Sequence, residues 1–97
     1  MLELLRKFIS EKAVISVVYE GGTRVVEPYL VYESKDGNRV LHSWQQSGAW
    51  KHSPPPDWAN LSVSKISSIT PTEKSFDQPH PDYNPQSDRF HHVLFHV

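Results

Sequence analysis

None of the 97 residues is cysteine. A disulfide framework, a thiolate nucleophile and any cysteine-built metal centre are therefore excluded, which suits a reducing compartment. No apolar run approaches the roughly 20 residues that a membrane-spanning helix needs. The first residues, Met1-Leu2-Glu3-Leu4-Leu5-Arg6, lack the basic start and long apolar core of a secretory signal. A cytoplasmic protein without membrane contact is the expectation. Charge of one sign is missing too. Lys and Arg number 10, Asp and Glu 11, for a formal net charge of -1. No global positive field exists to hold nucleic acid, so such a partner would need a local patch. There is no internal repeat and no low-complexity segment.

What is present fits one folded unit. Hydrophobic residues make up 37% and charged residues 22%, within the range of globular proteins. The length suits a single domain over 1–97 with one modest core. Leu2, Leu5, Phe8 and Ile9 recur at helical spacing, with Glu3, Arg6, Lys7, Glu11 and Lys12 between them. This predicts a short amphipathic helix over 2–12, too short to stand alone and so docked on something.

Strand signals follow. Ala13 to Tyr19 is β-branched and forms a first strand. Glu20-Gly21-Gly22 supplies the positive φ of a tight hairpin. A second strand runs from Thr23 to about Glu33 with Pro28 inside it. Because proline cannot donate to a ladder, this strand is bent, bulged or at an edge. Lys35-Asp36-Gly37-Asn38 is a turn. The third strand, Arg39 to Gln46, puts Val40, His42, Trp44 and Gln46 on one face and Arg39, Leu41, Ser43 and Gln45 on the other. Its histidine and two amides read most simply as solvent-exposed. A loop over 47–57 carries Trp50, His52 and the stiff Pro54-Pro55-Pro56. Trp50 is a packing anchor or a ligand platform, with packing favoured. Trp58 to Val63 forms a fourth strand, Ser64-Lys65 a one-turn interruption, and Ile66 to about Thr72 a fifth strand. The tail over 73–97 is irregular. Phe90, Val93, Leu94 and Val97 fit the apolar side of a short helix, and Val93 to Val97 fits a closing strand equally; a helical turn near 85–91 followed by the strand is favoured. Ile15, Val17, Val26, Leu30, Leu41, Leu61, Val63, Ile66 and Ile69 are the expected core.

About five short strands behind a helix predict a mainly β fold, a small antiparallel barrel over 13–72. Its segments Ile15-Ser16-Val17-Val18-Tyr19, Arg24-Val25-Val26-Glu27-Pro28-Tyr29, Gly37-Asn38-Arg39-Val40-Leu41 and Leu61-Ser62-Val63-Ser64-Lys65-Ile66 resemble the WYL-domain family. The likeness covers roughly 13–76. The stretch Pro81-Asp82-Tyr83-Asn84-Pro85 also looks like the end of small free-standing relatives. The resemblance implies an SH3-like, Sm-like barrel that binds a ligand, often a nucleotide or nucleic-acid strand. The family usually places its barrel downstream of a helix-turn-helix in transcription regulators. No helix-turn-helix is present here, so a regulatory role would act through a partner. The Trp-Tyr-Leu signature falls on Arg39-Val40-Leu41, where Leu41 alone matches. A later family arginine falls on Ser62. By position, Arg24, His42 and Lys65 remain of the family's ligand-side basic surface.

No catalytic set is assembled. Ser43 and His42 are adjacent on a strand and so face opposite sides, and Glu27 and Glu33 are six apart on a bent strand. A non-catalytic protein without cofactor is expected. On a helix His92 and His96 would share a face as zinc ligands do, with His80 or Asp88 as a third. Adjacent histidines near a chain end are more often solvated, and no metal is expected. Two functions remain. One is a module that binds a nucleotide or short single strand through Arg24, His42, Trp44, Gln46 and Lys65, with Trp50 as a further stacking surface. The other is a protein-interaction or assembly unit, a homo-oligomer included, joined through a sheet edge such as the Pro28 strand.

Overall fold

The computed structural model describes every residue, Met1–Val97. The elements are α1 (Leu2–Ser10), β1 (Ala13–Tyr19), β2 (Gly22–Glu33), β3 (Arg39–Gly48), β4 (Asp57–Ser62), a 3-10 turn (Val63–Lys65), β5 (Ile66–Ser75) and β6 (His92–His96). The helix ends where Lys12 enters the left-handed region at φ 54° and its N–H returns to Ile9 O. Such a residue stops a helix and satisfies its last carbonyls. The β1–β2 hairpin turns on Glu20 and Gly21, both at positive φ, the pairing that a two-residue hairpin requires. No helix is long and apolar enough to cross a membrane.

All six strands are antiparallel and lie in one sheet of order β4-β3-β2-β1-β5, with β6 added against β2. β4 and β5 are its two ends and do not pair with one another. The sheet is therefore open, where a closed barrel was expected. The 3-10 turn joins these ends at the interruption expected from Ser64-Lys65, and the Tyr19 hydroxyl accepts the Ser62 N–H across the gap at 3.1 Å.

β2 is not an edge. β3 pairs along one side of it, while β1 covers its first half and β6 its second half on the other. Pro28 stands at the changeover, beside a bulge where Pro28↔Ser43 is followed by Leu30↔His42. Proline is tolerated at such a bulge because the ladder is already interrupted there. The extra residue is Tyr29, so Tyr29 and Leu30 both join the same apolar cluster instead of alternating.

The sheet is buried on both faces. Ile15, Val17, Val26, Val31, Leu41, Leu61, Val63 and Ile66 pack with Leu5, Phe8 and Ile9 of α1 in an aliphatic cluster. The opposite face gathers Val14, Tyr29, Leu30, Phe76 and Phe90, with Trp44, Trp58 and Tyr83 against them. Every residue expected in the core is buried except Ile69, which is partly so. The chain over 76–91 covers this second face without a helix. Where a helical turn was expected, Ser87 N–H bonds Asn84 O and Phe90 N–H bonds Ser87 O as successive tight turns. The closing strand is present as β6.

Candidate functional site

The five residues expected to bind a ligand fall into separate places. His42, Trp44 and Gln46 do share a face of β3, but the tail already occupies it. His42 is 3% exposed, not solvated, and its ring stacks on Trp58 with centroids 4.8 Å apart. Phe90 lies at 4.8 Å from the same ring, and His80 sits on Trp44 at 4.1 Å. Gln46 Nε2 donates to Glu27 Oε2 at 2.8 Å. Lys65 is exposed and lies 3.8 Å from Glu20. Arg24 is on the other face of the sheet, against Tyr19 and Gln45.

The covered face is a connected polar and aromatic network. The Tyr29 hydroxyl donates to Glu27 Oε1 at 2.5 Å and accepts the His80 N–H at 2.7 Å. Burial, aided by the Glu27 carboxylate, holds that phenol protonated far above its ordinary range. Burial likewise pushes Tyr83 up to about 12. His42 is held below its ordinary value, by burial first and by Arg89 further, against the opposing bond to Asn60. Its Nδ1 lies 2.8 Å from Asn60 Oδ1, an acceptor, so Nδ1 carries the proton. The Ser43 hydroxyl donates to Ala59 O on the far face and does not meet His42. The C-terminal histidines lie on and beside a strand, so His92 and His96 lack a helical face, and no group of three His, Asp or Glu is placed to hold a metal.

A second place has the open geometry that the covered face lacks. A cleft of about 370 Å³ lies between the β1–β2 turn, the loop after β3 and β4. Tyr19, Arg24 and Gln45 form its inner wall, and Trp50, His52 and Ser53 belong to its loop side. Residues 57–61 line it without a break. Consecutive strand residues alternate faces, so an unbroken run can face one cavity only across the strand's edge. β4 pairs on one side alone, with β3, and its free edge is what the cleft meets.

Arg24 is the cation of this cleft. Its guanidinium lies over the Tyr19 ring at 5.1 Å, and Nη1 donates to Gln45 Oε1 at 3.3 Å. Its Nε is buried with no acceptor. The ion pairs of the chain are Lys65–Glu20 and His80–Asp82, so Arg24 has no carboxylate partner. Gln45 is oriented from behind, its Nε2 donating to Ser47 O at 3.1 Å and Ala49 O at 2.7 Å. That loop start is drawn tightly onto β2 by Gly48, at φ 103°, where a Cβ would collide with the Thr23 carbonyl. Trp50, expected to pack, is 53% exposed. Asp57 accepts the Ser53 hydroxyl and the Trp58 N–H, and these bonds hold its carboxyl below the usual range. The arrangement can hold an anion at Arg24 and a planar group near Trp50.

No family model matches the chain, and neither does any curated protein or solved structure. Sequence reasoning named Arg24, and Trp50 as an alternative, but missed Tyr19, Gln45 and Asp57. Tyr19 and Arg24 flank the Glu20-Gly21-Gly22 turn, which was the available signal that the hairpin sets them near each other.

Proposed function

We propose that the chain is a non-catalytic ligand-binding or regulatory module of the WYL type, an SH3-like or Sm-like barrel open at one seam. Its ligand is a nucleotide or a short single-stranded nucleic acid, bound in the cleft between Arg24 and Trp50. The observation that carries this reading is the partly buried guanidinium without a counter-charge. Arg24 is partly buried with one buried, unpartnered donor, Nε, and an anion that reaches its Nη groups forms charge-assisted hydrogen bonds. The cleft's volume lies at the lower end of the range for small-molecule sites. An exposed indole beside a phosphate seat is the pairing that single-strand and nucleotide binders use. The family part of this reading rests on the sequence resemblance over 13–76.

The test is a titration of mononucleotides and short single-stranded DNA at low salt into wild type, Arg24→Gln and Trp50→Ala, with folding checked by circular dichroism. Trp50→Ala should lose about 1–3 kcal/mol of binding free energy, the usual worth of one stacked base. Binding should weaken as salt rises. Millimolar or absent binding to wild type would reject the nucleotide reading.

A second reading rests on the free edge of β4. An extended peptide, or a second copy, could add there as a further strand through main-chain hydrogen bonds. Pairing of that kind is insensitive to salt, and it would raise the mass above monomer or capture a peptide. Lys65, exposed and engaged with Glu20, has a peripheral role in either case.

A further inference from the structure

We infer that the cleft is built for a terminal phosphate, that of a free nucleoside monophosphate or of a phosphorylated strand end, and not for the interior of a strand. This rests on the nucleotide reading above. The first argument is size. A cleft of about 370 Å³ has room for about one nucleotide. The second is the charge around Arg24. Two fixed cations line the cleft, Arg24 and Lys51, and so do two carboxylates, Glu20 and Asp57. Glu20 stands at the hairpin turn and Asp57 at the start of β4. Glu20 is paired with Lys65, but Asp57 has no cationic partner, and a strand that continued past it would bring further phosphates against a like charge. The formal net charge of -1 provides no basic track to offset it. The third argument is the fork itself. One of the guanidinium's five donors is engaged by Gln45, the Nε–H is buried, and no protein carboxylate competes for the Nη donors that remain. A phosphate monoester offers up to two negative charges and three terminal oxygens to that fork, where an interior diester offers one charge and two.

The experiment compares five probes by calorimetry at low salt: adenosine 5′-monophosphate, adenosine, inorganic phosphate, and the adenylyl dinucleotide with and without a 5′-phosphate. The two phosphate-ended nucleotides should bind about tenfold or more tighter than adenosine or the unphosphorylated dinucleotide, since hydrogen bonds between charged groups are the strong ones. Equal affinity for the two phosphate-ended probes supports recognition of the end. Preference for the monophosphate supports recognition of the free nucleotide. Inorganic phosphate should bind more weakly than either, because it leaves Trp50 unused. Arg24→Gln and Arg24→Lys, each confirmed folded by circular dichroism, should remove the phosphate preference and weaken it, respectively. If the unphosphorylated dinucleotide binds as tightly as the monophosphate, or if Arg24→Gln keeps the preference, the end-recognition inference fails while the nucleotide reading stands. If none of the probes binds wild type, both fail.

Discussion

The face of the sheet under α1 and the face under the tail are closed by different physics. Under α1 the contacts are almost all aliphatic, with Ile15, Val17, Val31 and Leu41 at 0% exposure and no hydrogen-bonding demand from their side chains. Under the tail the covering chain has no helix; Tyr29, His42 and Trp44 of the sheet meet His80, Tyr83 and Phe90 of the tail, and Glu27 and Gln46 extend the polar network within the sheet. Aliphatic packing is non-directional and tolerates rearrangement, whereas a buried polar network is costly when any member loses its partner. The first face should therefore govern global stability. The second should govern whether the tail is seated, and through it the state of the aromatic surface beneath.

The largest expected effect is on the first face. Leu41→Ala should lower the unfolding free energy by about 2–5 kcal/mol in urea titrations. A loss below about 0.5 kcal/mol would mean that strand β3 does not place Leu41 inside, and the contrast between the faces would collapse.

Tyr29→Phe probes the second face with little change of volume. It leaves the Glu27 carboxylate and the His80 N–H without the phenol, at about 1–3 kcal/mol. Hydrogen exchange should quicken most over 76–97 and least in β1. Uniform loss of protection would say that the tail does not open separately from the sheet.

A pH series sharpens the contrast further. Unfolded, the His42 imidazole protonates near its ordinary value of about 6.5. Folded, burial beside Asn60 and Arg89 depresses that value. Below about 6.5 the unfolded chain binds the proton that the folded chain refuses, so the His42 contribution is fully present above that pH and is lost as pH falls through the depressed folded value. Urea midpoints should fall between pH 7.5 and the folded titration point, and His42→Gln should flatten that part of the profile. An unchanged slope in the variant would assign the dependence to other groups.

The smallest effect is expected at Lys65→Ala. Its ion pair with Glu20 is exposed on both sides, at 58% and 41%, so the loss should stay below about 1 kcal/mol and vanish at high salt. A larger, salt-resistant loss would give the 3-10 turn a stabilising role comparable with the buried faces.

Most of the first face was legible because period-2 patterning in Ala13–Tyr19 and Arg39–Gly48 is a local property of the chain. The second face was not. Val26, Pro28 and Leu30 have the same parity, which predicts one common face, yet the bulge at Tyr29 sends Leu30 to the other cluster. His42 and Gln45 read as surface residues because polarity is an average guide to exposure, and neither Asn60 nor the Ala49 carbonyl is visible as a partner in one dimension. Trp50 read as buried on the same kind of average, and the open cleft leaves it exposed.

By itself the sequence determined the helix, the first five strands and most of the buried aliphatic residues, since spacing, turn chemistry and β-branching act over a few residues. Tertiary structure alone decided the rest. It left the sheet open between β4 and β5, because pairing at the seam depends on curvature accumulated over five strands. It seated β6 on the half of β2 that β1 leaves free, laid the tail over His42 and Trp44, and left Arg24 unpaired beside an exposed Trp50. The seating of β6, the covering by the tail and the Arg24–Trp50 cleft each involve residues tens of positions apart, fixed by which surfaces remain uncovered once the local elements have packed.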